Sequence, residues 1–218
     1  MDGLIDYPTT RAQGVNVSRM GRSSYYERLE APGYWRDITG HFAPDTRLLD
    51  LGCGTGWISQ HFQDYTGLDI SLEAVTKAQG MGRNVIFGDA GDPLPFGDAT
   101  FTGVIAKDVL EHVLTPVATV LEIRRVLKAG GLAYANTPDA QRWAWEDYTH
   151  RRPFTRLGLR RLFAEQGFTV LDGGWATTVH GSSIVSGWTK SNRRPLPLRA
   201  LGYVPFVRRN TWVLAEAV

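Results

Sequence analysis

Two sets of ionisable residues in this sequence are spaced for chemistry. The first is a series of acids, each at or just past the end of a short apolar run. Asp50 lies in Arg47-Leu-Leu-Asp-Leu51, which runs into Gly52-Cys53-Gly54-Thr55-Gly56. Asp69 closes the run Tyr65–Ile70, and Asp89 follows Asn84–Gly88. A glycine-rich turn after a strand lets backbone approach a ligand closely. A carboxylate at the end of the next strand can accept two hydrogen bonds from ribose hydroxyls. An acid after a third strand can meet an adenine amino group. Each acid alone reads equally well as a cap or turn residue, but three at successive strand ends are hard to explain as turns. The spacing of Gly52, Gly54 and Gly56 differs from G-x-G-x-x-G, which argues against a dinucleotide.

The second set is Asp108, Glu111 and His112, with His150 further along. If residues 107–113 begin a helical turn, the first three stand at i, i+3 and i+4 and share one face. Two carboxylates and an imidazole so placed can hold a divalent metal, Mg²⁺ or Mn²⁺, with His150 as a further ligand. His112 or His150 can equally serve as general base.

The elements that must position these groups alternate in type. Arg47–Leu51 reads as a buried strand, 57–63 as a helix and Tyr65–Ile70 as a second strand. Ser71 caps a helix over 72–80. Strands follow at Asn84–Gly88 and Phe101–Ala106, then a helix over 115–128 with Pro116 in its first turn and Gly130-Gly131 past its end. Leu132–Asn136, Phe168–Thr178 and Thr211–Ala217 read as further strands, with a helix at Arg156–Gln166 ended by Gly167. Strands alternating with helices predict a parallel, doubly wound α/β sheet that binds ligands at the C-terminal strand ends. Residues 1–42 read as a separate arm and helical lid: a polar stretch over 1–20, then an aromatic segment over 22–42 with one or two short helices. Residues 43–218 form the main domain.

Leu48-Leu-Asp-Leu-Gly-Cys-Gly-Thr-Gly56, Leu68-Asp69-Ile70, Gly88-Asp89-Ala90, Val109-Leu-Glu-His-Val113 and Val126-Leu-Lys-Ala-Gly-Gly131 together resemble the motif series of class I S-adenosylmethionine-dependent methyltransferases. The resemblance covers about residues 45–178 in order. It implies a Rossmann-like α/β fold, a seven-stranded, mostly parallel sheet with helices on both faces, whose antiparallel last strand would be Thr211–Ala217. It also implies cofactor-binding roles: Gly52, Cys53, Gly54, Gly56 and Trp57 toward the methionine part, Asp69 and Ile70 at the ribose, and Asp89 and Ala90 at the adenine. Asp50 would orient the loop and the methionine ammonium, and Lys107 would line the methionine side. The acid-x-x-Glu-His set with a distant His is similar to that of small-RNA 2′-O-methyltransferases, where a metal grips vicinal hydroxyls. The Glu-His pair is similar to that of ubiquinone-pathway O-methyltransferases.

On the acceptor side, Trp143, Trp145 and Tyr148 lie between the fifth strand and the next helix, and Tyr25 and Tyr26 lie in the N-terminal segment. Indole and phenol rings suit stacking on sugar faces. Arg151 follows His150 directly and suits an acid or phosphate. The segment Tyr148–Thr155 resembles that of bacterial methyltransferases acting on saccharides and secondary metabolites. The expected activity is therefore O-methylation of a small polyhydroxylated acceptor. RNA 2′-O-methylation and a non-catalytic cofactor-binding subunit are the alternatives.

Composition bounds the rest. With 43% hydrophobic and 21% charged residues, the chain can bury a full core. One cysteine, Cys53, excludes an internal disulfide framework and fits a reducing compartment. No apolar run is long enough to span a bilayer, and the first residues do not read as a secretory signal. A cytoplasmic protein without membrane or nucleic-acid partners is expected. The net charge is +2, but residues 1–150 carry −6 and residues 151–210 carry +9, which marks the second stretch as a candidate anion-binding face. Residues 186–210, basic and proline-rich, suit either a sheet-edge cover or a homodimer contact.

Overall fold

The structure is a computed structural model that describes residues 36–178 and 208–218. Tyr25, Tyr26 and nearly all of the 186–210 stretch therefore lie outside the described residues. Seven strands form one sheet: β1 (Arg47–Leu51), β2 (Asp64–Asp69), β3 (Val85–Phe87), β4 (Phe101–Lys107), β5 (Leu127–Pro138), β6 (Phe168–Thr178) and β7 (Arg208–Ala217), in the order β3-β2-β1-β4-β5-β7-β6. The β1–β2, β1–β4, β2–β3 and β4–β5 pairings are parallel. β7 runs antiparallel between β5 and β6. This is the expected mostly parallel α/β sheet. Its strand order reverses between β1 and β4, so the crevice for a ligand opens above their C-terminal ends.

The period-2 alternation of the strands divides the core between the two faces. Leu48 of β1 and Ile105 of β4 point to one face, where they meet Ile38 of α1 (Arg36–Thr39), Ile58 of a 3₁₀ turn (Trp57–His61), and Val75 and Ala78 of α2 (Leu72–Gly80). Leu49, Leu51, Val104 and Ala106 point to the other. There they meet Val120, Ile123 and Val126 of α3 (Pro116–Val126), with Leu159 and Phe163 of the helix Arg156–Glu165. Both faces are thus sealed by helices, and the polar strand ends are the edge left for chemistry.

Several sequence signals act as expected. Ser71 caps α2 by accepting a hydrogen bond from the Ala74 amide at 3.3 Å. Pro116 opens α3, and Gly167 ends the helix Arg156–Glu165 in a left-handed conformation with φ +82°. The 57–63 helix is shorter than expected, a 3₁₀ turn of five residues. The fifth strand starts earlier, at Leu127, because Leu127 pairs with Phe101 and the register then shifts before Leu132 meets Gly103. Gly130 and Gly131 fall inside that irregularity rather than beyond the helix: Gly130 has φ +76°, and a Cβ on Gly131 would stand 2.9 Å from the Lys128 carbonyl. After β5 the chain forms α4 (Arg142–Trp145), then a loop, then α5 (Arg156–Glu165).

Candidate active site

The glycine loop is held at both strand ends. The amides of Gly52 and Cys53 donate to the Leu68 carbonyl at 2.8 and 3.3 Å. Asp69, buried at the end of β2, accepts from the Gly54 amide through one oxygen at 2.6 Å and from the Ser71 amide through the other at 2.8 Å. Each carboxylate oxygen keeps further acceptor capacity for a ligand hydroxyl. Gly52, Gly54 and Gly56 have φ of +67°, +56° and +67°, a region only glycine enters cheaply. A Cβ at Gly52 would also stand 2.5 Å from the Val109 methyl, so the segment after β4 packs directly on the loop.

Asp50 is 4% exposed, and one of its oxygens accepts the Tyr65 hydroxyl at 2.9 Å. Burial pushes its pKa from 3.8 up to about 7; Tyr65 opposes the shift, Asp69 adds to it, and Lys107 opposes it. Burial likewise raises Asp69, against the pull of the Ser71 and Gly54 amides. Cys53 and Trp57 are half-buried, Ile70 follows Asp69 half-buried, and Ala90 is buried. Asp89 is exposed after β3 and accepts from the Gly91 amide at 2.7 Å. Gly91 in turn packs near Val113.

The segment 107–113 is not a helical turn. Asp108 has φ +54°, and the following residues make a tight turn closed by the His112 amide on the Val109 carbonyl at 2.9 Å. The expected i, i+3, i+4 face therefore does not form, and Asp108 is used elsewhere. One of its oxygens pairs with Lys107 Nζ, and the other accepts from Asn210 Nδ2 of β7 at 3.3 Å. Asn210 also donates to Asn136 Oδ1 at 2.8 Å, and the Asp108 amide donates to the Asn136 carbonyl at 2.7 Å. These asparagines hold the left-handed Asp108, which costs free energy in a residue with a side chain. Sequence reasoning missed them; the available signal was a polar residue closing the apolar β5.

Glu111, His112 and His150 do come together. One ligand atom from each lies within 4.8 Å of the others. Glu111 is wholly buried, and neither carboxylate oxygen has a hydrogen-bond partner. Burial first, then the Asp108 charge, pushes its pKa well above the usual carboxylate range. His112 Nε2 stands 3.9 Å from Glu111 Oε1, and the two imidazole rings meet edge-to-face at 4.9 Å. His112 Nδ1 lies 3.1 Å from the Thr149 carbonyl, and His150 Nδ1 lies 2.6 Å from the Ala144 carbonyl. A carbonyl can only accept, so each Nδ1 carries a proton, and in the neutral ring Nε2 is then the atom with the lone pair. Burial and the neighbouring His150 lower the His112 pKa, leaving a neutral imidazole at pH 7.

The loop after β5 folds over this cluster, as the sequence requires if His150 is to join it. The Arg151 and Arg152 amides donate to the Glu111 carbonyl at 2.7 and 3.2 Å, and the Ala140 amide donates to the Phe154 carbonyl at 2.9 Å. Asp147 shapes the loop by accepting from the Thr149 amide and hydroxyl at 3.1 and 2.7 Å, a role the sequence did not reveal. Trp143 is half-buried and donates to Gln141 at 2.9 Å. Trp145 is 58% exposed, Tyr148 80% exposed, and the Arg151 side chain exposed.

Residues 49–135 match a family model described as a methyltransferase domain. The chain is 32% identical over 151 residues to the O-methyltransferase cnsE of Penicillium expansum, covering 60% of this chain and 54% of that protein. It is 32% identical over 100 residues to the malonyl-[acyl-carrier protein] O-methyltransferase of Erwinia billingiae, covering 43% and 39%. The chain thus spans about half the length, or less, of the curated relatives it matches. Among solved structures, a SAM-dependent methyltransferase from Archaeoglobus fulgidus shares the fold with a TM-score of 0.67 at 18% identity, covering 87% of this chain and 93% of that one.

Proposed function

We propose that the chain, whose residues 49–135 match a methyltransferase domain, is a class I S-adenosylmethionine-dependent methyltransferase and moves the methyl group to a hydroxyl of a small polyhydroxylated acceptor such as a sugar or glycoside. The observation that carries this reading is the cluster of buried Glu111 with half-buried His112 and His150, set beside the glycine loop through the Val109–Gly52 contact. The O-methyltransferases among the relatives support oxygen as the accepting atom. The exposed Trp145 and Tyr148 on the loop over the cluster suit a sugar face.

Bound S-adenosylmethionine supplies an activated methyl on a sulfonium, so the C–S bond breaks with its electron pair left on sulfur as the C–O bond forms. The chain supplies position and proton removal. Asp69 takes ribose hydroxyls on its remaining acceptor sites, Asp89 meets the adenine amino group, and Asp50 faces the methionine ammonium. His112 is neutral, its Nδ1–H is fixed on the Thr149 carbonyl, and its Nε2 is the acceptor for the hydroxyl proton. A divalent ion on the same three side chains would instead acidify the hydroxyl directly. The Asp139–Phe154 bridge closes the loop 139–155 at its base, beside the Glu111–His112–His150 cluster.

The test is product formation. The purified chain is incubated with S-adenosylmethionine and separate pools of sugars and glycosides, phenols, and RNA, and S-adenosylhomocysteine is measured. Release with the sugar and glycoside pool is expected. Release with RNA alone, or with no pool at all, would overturn the proposal.

A further inference from the structure

We propose that Glu111, His112 and His150 form a binding site for one first-row divalent transition ion, with Asp108 outside it. This deepens the reading of the same site given above, but it stands on the geometry of the three side chains.

Glu111 poses the problem. A carboxylate with no exposed surface and no donor on either oxygen is an expensive thing to bury. The Nδ1 atoms of both imidazoles face the carbonyls of Thr149 and Ala144, so in the neutral rings the Nε2 atoms are left as acceptors and give Glu111 no donor. Glu111 Oε1 and His112 Nε2 are 3.9 Å apart, too far for a hydrogen bond. Two ligands each ~2.0–2.2 Å from one ion stand about 3–4 Å apart, so that spacing fits a shared cation. The full set, within 4.8 Å, closes on an ion with a small contraction. An imidazole whose second nitrogen is held by a backbone carbonyl is the usual support for a metal ligand, since the carbonyl fixes both tautomer and ring direction. Asp147 Oδ2, 3.7 Å from His150 Nε2, adds negative charge beside the site.

The donor set selects the ion. Mg²⁺ prefers oxygen and keeps most of its water, whereas two imidazoles and one carboxylate suit Mn²⁺, Fe²⁺, Co²⁺ or Zn²⁺. With Asp108 taken by Lys107 and Asn210, the expected set of two carboxylates and two imidazoles loses one carboxylate. Held by these three side chains, a divalent ion would lower the pKa of an acceptor hydroxyl brought to it.

The experiment is calorimetric titration and thermal melting of the chelator-treated full chain with MnCl₂, ZnCl₂ and MgCl₂. One Mn²⁺ or Zn²⁺ per chain is expected, with a rise in melting temperature of about 5–10 °C at ~100-fold excess over Kd. Mg²⁺ should bind at least about tenfold more weakly. Glu111→Gln and His150→Gln should each weaken Mn²⁺ binding at least about tenfold. Asp108→Asn and the remote control His61→Ala should leave it within about threefold. Glu111→Gln keeps the side chain's shape and removes its ability to ionise, so its own melting temperature reports that it folds. No saturable binding of Mn²⁺ or Zn²⁺, or binding indifferent to Glu111→Gln, would overturn the site. Mg²⁺ binding as tightly as Mn²⁺ would overturn the ion class. Titration with S-adenosylhomocysteine on the same sample separates the failures: cofactor binding without metal binding sinks this proposal alone. Metal binding without cofactor binding sinks the methyl-transfer reading alone.

Discussion

In the proposed reaction His112 serves the acceptor and Asp69 the cofactor, so their substitutions should separate. His112→Ala would remove the proposed proton acceptor and leave the hydrogen bonds that hold the glycine loop. Turnover should fall by roughly 10²–10⁴-fold with cofactor affinity unchanged, read by steady-state kinetics beside calorimetry with S-adenosylhomocysteine. A drop in affinity of the same size would assign His112 to the cofactor side. Asp69→Ala should do the reverse. Losing two charge-assisted hydrogen bonds should weaken S-adenosylhomocysteine by roughly 10²-fold or more, and unchanged affinity would remove Asp69 from the ribose. What the sequence made legible is their placement at the C-terminal strand ends: Asp69 closes β2, and His112 lies in the turn that follows β4. Asp108, directly after β4, misled. Its distance from Glu111 and His112 in the chain is helical, but its left-handed backbone turns the side chain toward Lys107 and Asn210 instead. No spacing rule foresees a positive φ in an aspartate, nor a partner 102 residues away.

Among the elements, the glycine loop and the turn after β4 act as one piece. Gly52→Ala forces a Cβ into a left-handed backbone, worth about 1–2 kcal/mol, and sets it 2.5 Å from the Val109 methyl. Melting should fall by roughly 2–8 °C. Adding Val109→Ala clears the overlap, so the double variant should lose less than the two single losses combined. Strict additivity in a thermal-melt cycle would show that the two elements do not touch. Contacts of this kind explain which elements the sequence could announce. α2 and β6 match their expected bounds because a serine cap and a run of alternating apolar residues are local signals. β5 was misjudged at its start because its first residues pair with Phe101 through a register shift, a property of β4 as much as of β5. The fold over 139–155 likewise depends on the Glu111 carbonyl, which collects the Arg151 and Arg152 amides.

For the whole molecule, the sheet gathers its ionisable groups on one edge, and this should appear in the pH dependence of stability. Around Asp50 stand the Tyr65 hydroxyl and Asp69 on β2, Lys107 on β4, and the Cys53 thiol in the loop. Burial wins among these and raises the Asp50 pKa from 3.8 to about 7. A folded-state pKa above the unfolded one means that folding holds a proton the unfolded chain gives up. That stability is fully present below the unfolded value and is lost as pH rises to about 7. His112 has the opposite sign: its lowered pKa contributes stability present above its usual 6.5 and lost as pH falls. The two windows overlap, so a melting curve of the wild type alone would not separate them. The difference between wild type and Asp50→Asn does, because His112 is common to both. From pH 5 to 7 the wild type should lose ground steadily to the variant, and the difference should level off above about 7.5. A cationic ligand favours the carboxylate form of Asp50, so S-adenosylmethionine should bind the wild type more tightly as pH rises toward 7 and bind Asp50→Asn with little pH dependence. A difference curve that stays flat from pH 5 to 8 would mean that Asp50 is already ionised in the free protein and that the cofactor meets a charge rather than displacing a proton.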